Sequence, residues 1–235
     1  MATALFTHPA CLLHDNGPGH PECPERLKAI LAELEKPDYA ALIRREAPQA
    51  TIEHITRVHD PAYIGRILKH VPQKGYAQLD PDTALSPGSG EAALRAAGAL
   101  IAAVDDVMSG KIKNAFCAVR PPGHHAEHAQ AMGFCLFNNV AIGAAHALEK
   151  HKLKRVAIVD FDVHHGNGTE EWGREHPEIL FCSSHQFPFY PGTGFAEDHG
   201  SYSNILNIPL PVGTGSAKFI SAMKNAVLPK IENDR

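Results

Sequence analysis

A chain of 235 residues with 44% hydrophobic and 20% charged side chains can bury one sizeable core, and nothing in it forces a second domain. Its net charge of −4 excludes a basic field that would hold nucleic acid through its phosphates. No apolar run reaches the length of a membrane span, and the five cysteines form no CxxC pair, so neither a disulfide framework nor a thiolate zinc site is expected and a cytoplasmic setting suits the chain.

The N-terminal MATALFTHPACLLHD has no basic start and only short apolar runs, so no signal peptide is expected. Residues 4–7 read as a first strand, followed by a Gly-, Pro- and His-rich loop over 14–24. Leu27, Ile30, Leu31 and Leu34 fall on one side of a helix over 25–35, with Pro24 at its start. A second helix is expected over 61–70. The prolines and glycines between Tyr76 and Gly90 predict an irregular loop. The longest helix, alanine-rich and apolar on most faces, spans 91–108, and Gly98 within it allows close approach to a neighbour.

Beyond it the pattern alternates. Strands are expected over 114–119, 156–159, 179–182 and 205–209, and helices over 138–150, 169–175 and 216–231. Such alternation predicts an α/β domain with a mainly parallel sheet covered by helices on both faces. Ligands of open α/β sheets bind beyond the carboxyl ends of the strands. Three loops leaving those ends, RPPGHHAEHAQAMGFC, DFDVHHGNG and SSHQFPFYPGTG, carry a concentration of His, Asp and aromatic residues.

The 16 histidines direct attention to metal or proton chemistry. In RVAIVDFDVHHGNG, Asp160, Asp162 and His164 occupy alternate positions, and in an extended segment they would share one face. A carboxylate and an imidazole two residues apart can grip one metal ion, although a solvated strand end is the plainer alternative for such a run. His124 and His125 follow the rigid Arg120-Pro121-Pro122-Gly123 turn. Beside a metal they would act as general base and general acid, with Asp160 and Asn167 fixing their tautomers from behind. Phe134 and Tyr190 lie on two of the same loops and suit either core packing or the walls of a narrow apolar channel. Ser183 and Ser184 offer oxygens to a monovalent cation beside Asp160, or simply cap a turn.

RPPGHHA, MGFCLFNN, VDFDVHHGNGT and FYPGTG, in this order, resemble the zinc-dependent histone deacetylase family, and the earlier GHPECPERLKAI and VHDPAYI also match it. The likeness is to its class II branch, with the bacterial deacetylase-like amidohydrolases and acetylpolyamine amidohydrolases. The resemblance implies the three-layer arginase/deacetylase fold over a single domain, residues 1–235. It also implies a zinc ion at the base of a tunnel and hydrolysis of an acyl amide, foremost acetyl-lysine in proteins, with an acetylpolyamine as the alternative substrate. Asp162 and His164 then resemble two of three zinc ligands, and His124 and His125 the tandem catalytic pair. Asp160, Ser183 and Ser184, with the carbonyls of Asp162 and His164, resemble a structural potassium site. Asn167 matches the class II residue behind the second histidine. Phe134 and Tyr190 match the tunnel walls, and Gly133 a carbonyl offered to substrate. Asp82 resembles the rim carboxylate, and Arg26 the arginine of an inner product channel.

The family's third ligand and transition-state tyrosine belong to GFDAH-like and GGY-like motifs that do not occur before Arg235. The resemblance therefore implies a C-terminally truncated chain whose own activity and zinc binding are open. Asp198 and His185 are substitutes for the third ligand without a spacing argument. A non-catalytic acyl-lysine- or metal-binding module is the reading from another class. The ureohydrolase branch of the fold uses a DAHxD-type run that DFDVH does not match.

Overall fold

The computed structural model describes residues 2–234. Strand β1 (Thr3–Thr7) is buried along its middle and lies between β2 (Ile43–Glu46) and β5 (Asn114–Cys117), parallel to both. A second parallel sheet has the order β6 (Val156–Asp160), β7 (Ile179–Gln186), β8 (Ile205–Leu210), with β7 buried along nearly its whole length. Central parallel strands are covered on both faces, which is why ILFC reads as a continuous apolar run rather than an alternating one. The expected parallel pairing is present, but as two three-stranded sheets rather than one, and β5 is not paired with β6.

Helices α1 (Pro24–Leu34) and α3 (Pro61–His70) begin on prolines, whose missing N–H costs nothing in a first turn. The Asp60 carboxylate caps α3 by accepting the Tyr63 amide. Between them, α2 (Ile52–Ile55) is a single turn capped by Thr51. Helix α4 (Ser89–Met108) packs on α5 (Asn139–His151), and the large core joins their alanine faces to Phe137, Ile142, Phe181 and Ile205. An ideal Cβ on Gly98 would lie 2.0 Å from the Pro48 carbonyl, so α4 meets the segment after β2 at backbone contact.

The irregular loop expected between Tyr76 and Gly90 instead holds an antiparallel hairpin, β3 (Ala77–Asp80) and β4 (Thr83–Leu85). Thr83, Ala84 and Leu85 are buried, and tertiary burial overrides the turn-rich composition. Helix α6 (Asn167–Arg174) follows β6. The expected final helix over 216–231 is one continuous spiral in three parts: α7 (Ser216–Ala222), a π-turn segment Met223–Val227, and α8 (Leu228–Asn233). No helix among the described residues is long and apolar enough to cross a membrane.

Candidate active site

Strand β6 ends at Asp160, so Asp162 and His164 are not brought to one face by strand alternation. Two successive side-chain turns do it instead. Asp160 Oδ1 accepts the Asp162 amide at 3.0 Å, and Asp162 Oδ1 accepts the His164 amide at 2.9 Å. The result brings His164 Nδ1 to 3.1 Å from Asp162 Oδ1, with His164 half-buried and Asp162 exposed. Two acidic residues in DFD thus shape the loop as well as furnishing its charge.

The loop after β5 delivers the histidine pair. His124 Nδ1 lies 2.8 Å from Asp160 Oδ2, and His125 Nδ1 lies 2.8 Å from Asn167 Oδ1, with the two ring centroids 3.9 Å apart. Asn167 is itself held, donating to Glu127 Oε1 at 2.7 Å. Glu127 was not singled out from sequence, and its position two residues after the pair gave the only hint. Since a carboxylate and an amide oxygen only accept, both Nδ1 atoms carry the hydrogen. Nε2 is left as the nitrogen for proton exchange on each ring.

The two imidazoles differ in charge preference. Burial pulls the His124 pKa down, but the bond to Asp160 and the charges of Asp160 and Asp162 outweigh it, so the value is raised overall. Burial pushes the His125 pKa down to about 4, helped by the His124 charge, and the neutral Asn167 compensates little. Burial acts upward on Asp160, yet the hydrogen bond and charge of His124 leave it below the usual carboxylate range.

Aromatic rings border the pair. Tyr190 meets His125 edge-on at 5.1 Å and His164 at 5.9 Å. Its neighbour Phe189, an aromatic of the same rim loop, stacks on His164 at 5.0 Å with planes 8° apart. Gly133 and Phe134 both adopt positive φ, and a Cβ on Gly133 would lie 2.3 Å from the His125 ring. The Gly133 carbonyl accepts from the Cys135 thiol at 3.3 Å. The Phe134 amide donates to Thr83 Oγ1 at 2.9 Å, and Thr83 donates in turn to Asp82 Oδ1 at 2.9 Å. His20 closes the group: its ring packs edge-on against Phe134 at 4.6 Å and its Nε2 meets the Asp82 carbonyl at 3.1 Å. Asp82 and Phe134 are therefore one connected rim.

Arg26 is 61% exposed, with Nη1 4.0 Å from Glu22. The buried guanidinium of this region is Arg120. It pairs with Glu22 through Nε at 2.5 Å and Nη2 at 2.7 Å, while its Nη1 donates to the carbonyls of Cys11 and His14. Both arginines line one pocket beside α1 and β5.

Register places Ser183 opposite Asp160. His185 Nε2 lies 2.9 Å from the Gly194 carbonyl and so carries the hydrogen, and its Nδ1 accepts from Ser183 Oγ at 2.9 Å. Ser183 donates there and keeps its lone pairs. Ser184 Oγ is buried without a partner. These oxygens suit a hard monovalent cation. The donor set of Asp162 and His164, oxygen and nitrogen without thiolate, fits a catalytic rather than a structural divalent ion. Together they give two of the three protein donors such an ion takes, and no third His, Cys, Asp or Glu donor clusters with them among the described residues. Neither proposed substitute is placed to help: His185 is engaged by Ser183 and Gly194, and Asp198 by Arg174.

Comparison with known proteins identifies the family. The histone deacetylase domain matches residues 20–233. An uncharacterized protein of Synechocystis sp. is 44% identical over 222 residues, 93% of this chain and 72% of that one. The histone deacetylase-like amidohydrolase of Pseudomonas aeruginosa is 38% identical over 257 residues, 99% of this chain and 67% of that one. Among solved structures, the crystal structure of the HDA15 HD domain superposes with a TM-score of 0.92 at 35% identity, covering 99% of this chain and 68% of that one. Family match, fold and the ordered loops after β5, β6 and β7 agree, and the chain belongs to the histone deacetylase family.

Proposed function

We propose that this chain carries the catalytic face of a zinc-dependent amidohydrolase that removes an acetyl group from a lysine side chain. The observation that carries the reading is the histidine pair, each ring fixed through Nδ1 at 2.8 Å and lying beside Asp162 and His164. Asp162 and His164 would hold the zinc, which when bound supplies Lewis-acid polarisation of the amide carbonyl and a more acidic water. Asp160, Ser183 and Ser184, with neighbouring main-chain carbonyls, would hold potassium.

The two histidines divide the proton work by what stands behind them. A carboxylate behind His124 stabilises its imidazolium, so His124 collects the proton of the attacking water. A neutral amide behind His125 leaves its charged form a readier acid, so His125 returns a proton to the departing amine. Phe134 and Tyr190 guide the aliphatic stem of the substrate, and Asp82 holds its backbone at the rim. Arg26 faces the path by which acetate leaves.

The test uses the complete enzyme, carrying the third zinc ligand and the tyrosine that the family resemblance implies, with zinc and an acetyl-lysine peptide, and an acetylpolyamine in parallel. Release of acetate from the peptide, blocked by a zinc-binding hydroxamate, is the expected result. Hydrolysis of the polyamine alone would reassign the substrate, and turnover indifferent to hydroxamate would overturn the zinc mechanism. His125→Ala should lower turnover by about 10²–10⁴-fold, the usual worth of a positioned acid or base, with zinc content unchanged. Asp162→Ala should lose the zinc itself, and undiminished metal content would refute its assignment.

A further inference from the structure

A second cluster lies outside these loops. Asp105 stands in the last turn of α4, and His146 and His151 lie on the last turns of α5. Asp105 Oδ1 is 2.8 Å from His146 Nε2 and 2.6 Å from His151 Nε2. One ligand atom from each residue lies within 4.8 Å of the others. His54 of α2 adds a fourth ring, 5.4 Å from His146.

We infer that Asp105, His146 and His151 form a second divalent transition-metal site, separate from the reacting centre. Two imidazoles and one carboxylate converging from three positions are the donors that borderline ions such as zinc take. The site is built on helices rather than a loop, and close packing of Gly143 on Leu100 holds α4 against α5. Both helices also end here, so the partial negative charge of two carboxyl termini favours a cation between them. Without an ion, two imidazole N–H groups are aimed at one carboxylate oxygen, the place a cation would take.

Arg57 is the competitor. Its Nη1 lies 3.2 Å from His146 Nδ1 and donates to it, while its Nε pairs with Glu149. A metal on His146 Nε2 requires the hydrogen on Nδ1, so Arg57 must withdraw to Glu149 as the ion binds.

The test uses the full chain carrying Asp162→Ala and His164→Ala, which silences the other centre, with Co²⁺ as the probe. One equivalent of Co²⁺ should bind and give a visible ligand-field band. Adding His146→Ala or Asp105→Asn should weaken binding by at least about a hundredfold, the upper end of what loss of an outer-shell partner costs. Arg57→Gln should strengthen it several-fold. Circular dichroism distinguishes lost ligands from lost folding. A band that survives His146→Ala with His151→Ala overturns the inference, as does a folded background protein that binds no Co²⁺.

Discussion

His59 is fully buried at the junction between α2 and α3. Its Nδ1 donates to the Glu127 carbonyl at 2.9 Å, and its Nε2 accepts the Asn138 amide at 2.8 Å. A second ring proton would confront the Asn138 N–H, and burial pushes the pKa from 6.5 down to about 4. Between those values the unfolded chain binds the proton and the folded one does not. The stabilisation from His59 is therefore complete above pH 6.5, declines as pH falls, and is gone below about 4, amounting to about 3 kcal/mol. Urea unfolding at pH 7 and pH 4.5 should show the loss, and His59→Gln, which cannot titrate, should reduce that dependence, leaving the share of His125 and His14, whose burial acts the same way. From sequence His59 was only part of VHDPAYI. Nothing local tells that its ring bridges two distant backbone groups.

The elements were legible where one physical signal dominated. The apolar period placed α3 at the same ten residues, 61–70, that the structure gives it. Strand β7 runs four residues past its apolar stretch because Ser183, Ser184, His185 and Gln186 find ladder partners in β8, which composition does not reveal. Strand β2, largely exposed and rich in arginine, gave no apolar signal at all. The hairpin β3–β4 was hidden by Pro81 in its turn and by the proline and glycines that follow it. In the candidate site, DFDVH disclosed which residues lie together but not how, since side-chain turns rather than strand alternation gather them. Gly98 shows a sequence hint with a physical basis: α4 can approach residues 48–50 only without a Cβ there. Gly98→Ala should force α4 outward and destabilise the protein by about 1–3 kcal/mol, the range for overpacking, as read by a lower Tm.

Across the whole molecule, the histidine pair follows one parallel sheet while Asp160, Asp162 and His164 follow the other. No strand pairing joins β5 to β6. The centre is therefore assembled over a seam, and side chains stitch it shut. His124 bonds Asp160 and His125 bonds Asn167. Beyond them, the Thr169 amide reaches the His124 carbonyl at 3.1 Å, the His128 amide reaches Glu171 at 2.7 Å, and Asn138 reaches Thr169 at 3.0 Å. The α4–α5 packing and the shared core also hold the halves together, so parting those few bonds opens the seam locally at its site-bearing end while each sheet keeps its own ladder. In a urea titration of the complete enzyme carrying His146→Ala and His151→Ala, acyl-amide turnover and cobalt bound at Asp162 and His164 should vanish together, at lower urea than the far-ultraviolet dichroism of the sheets. Coincident loss of all three would mean that the two halves melt as one. The reacting groups thus work as a clasp: closed, it aligns donors from two independently knitted fabrics, and a single slipped stitch idles both.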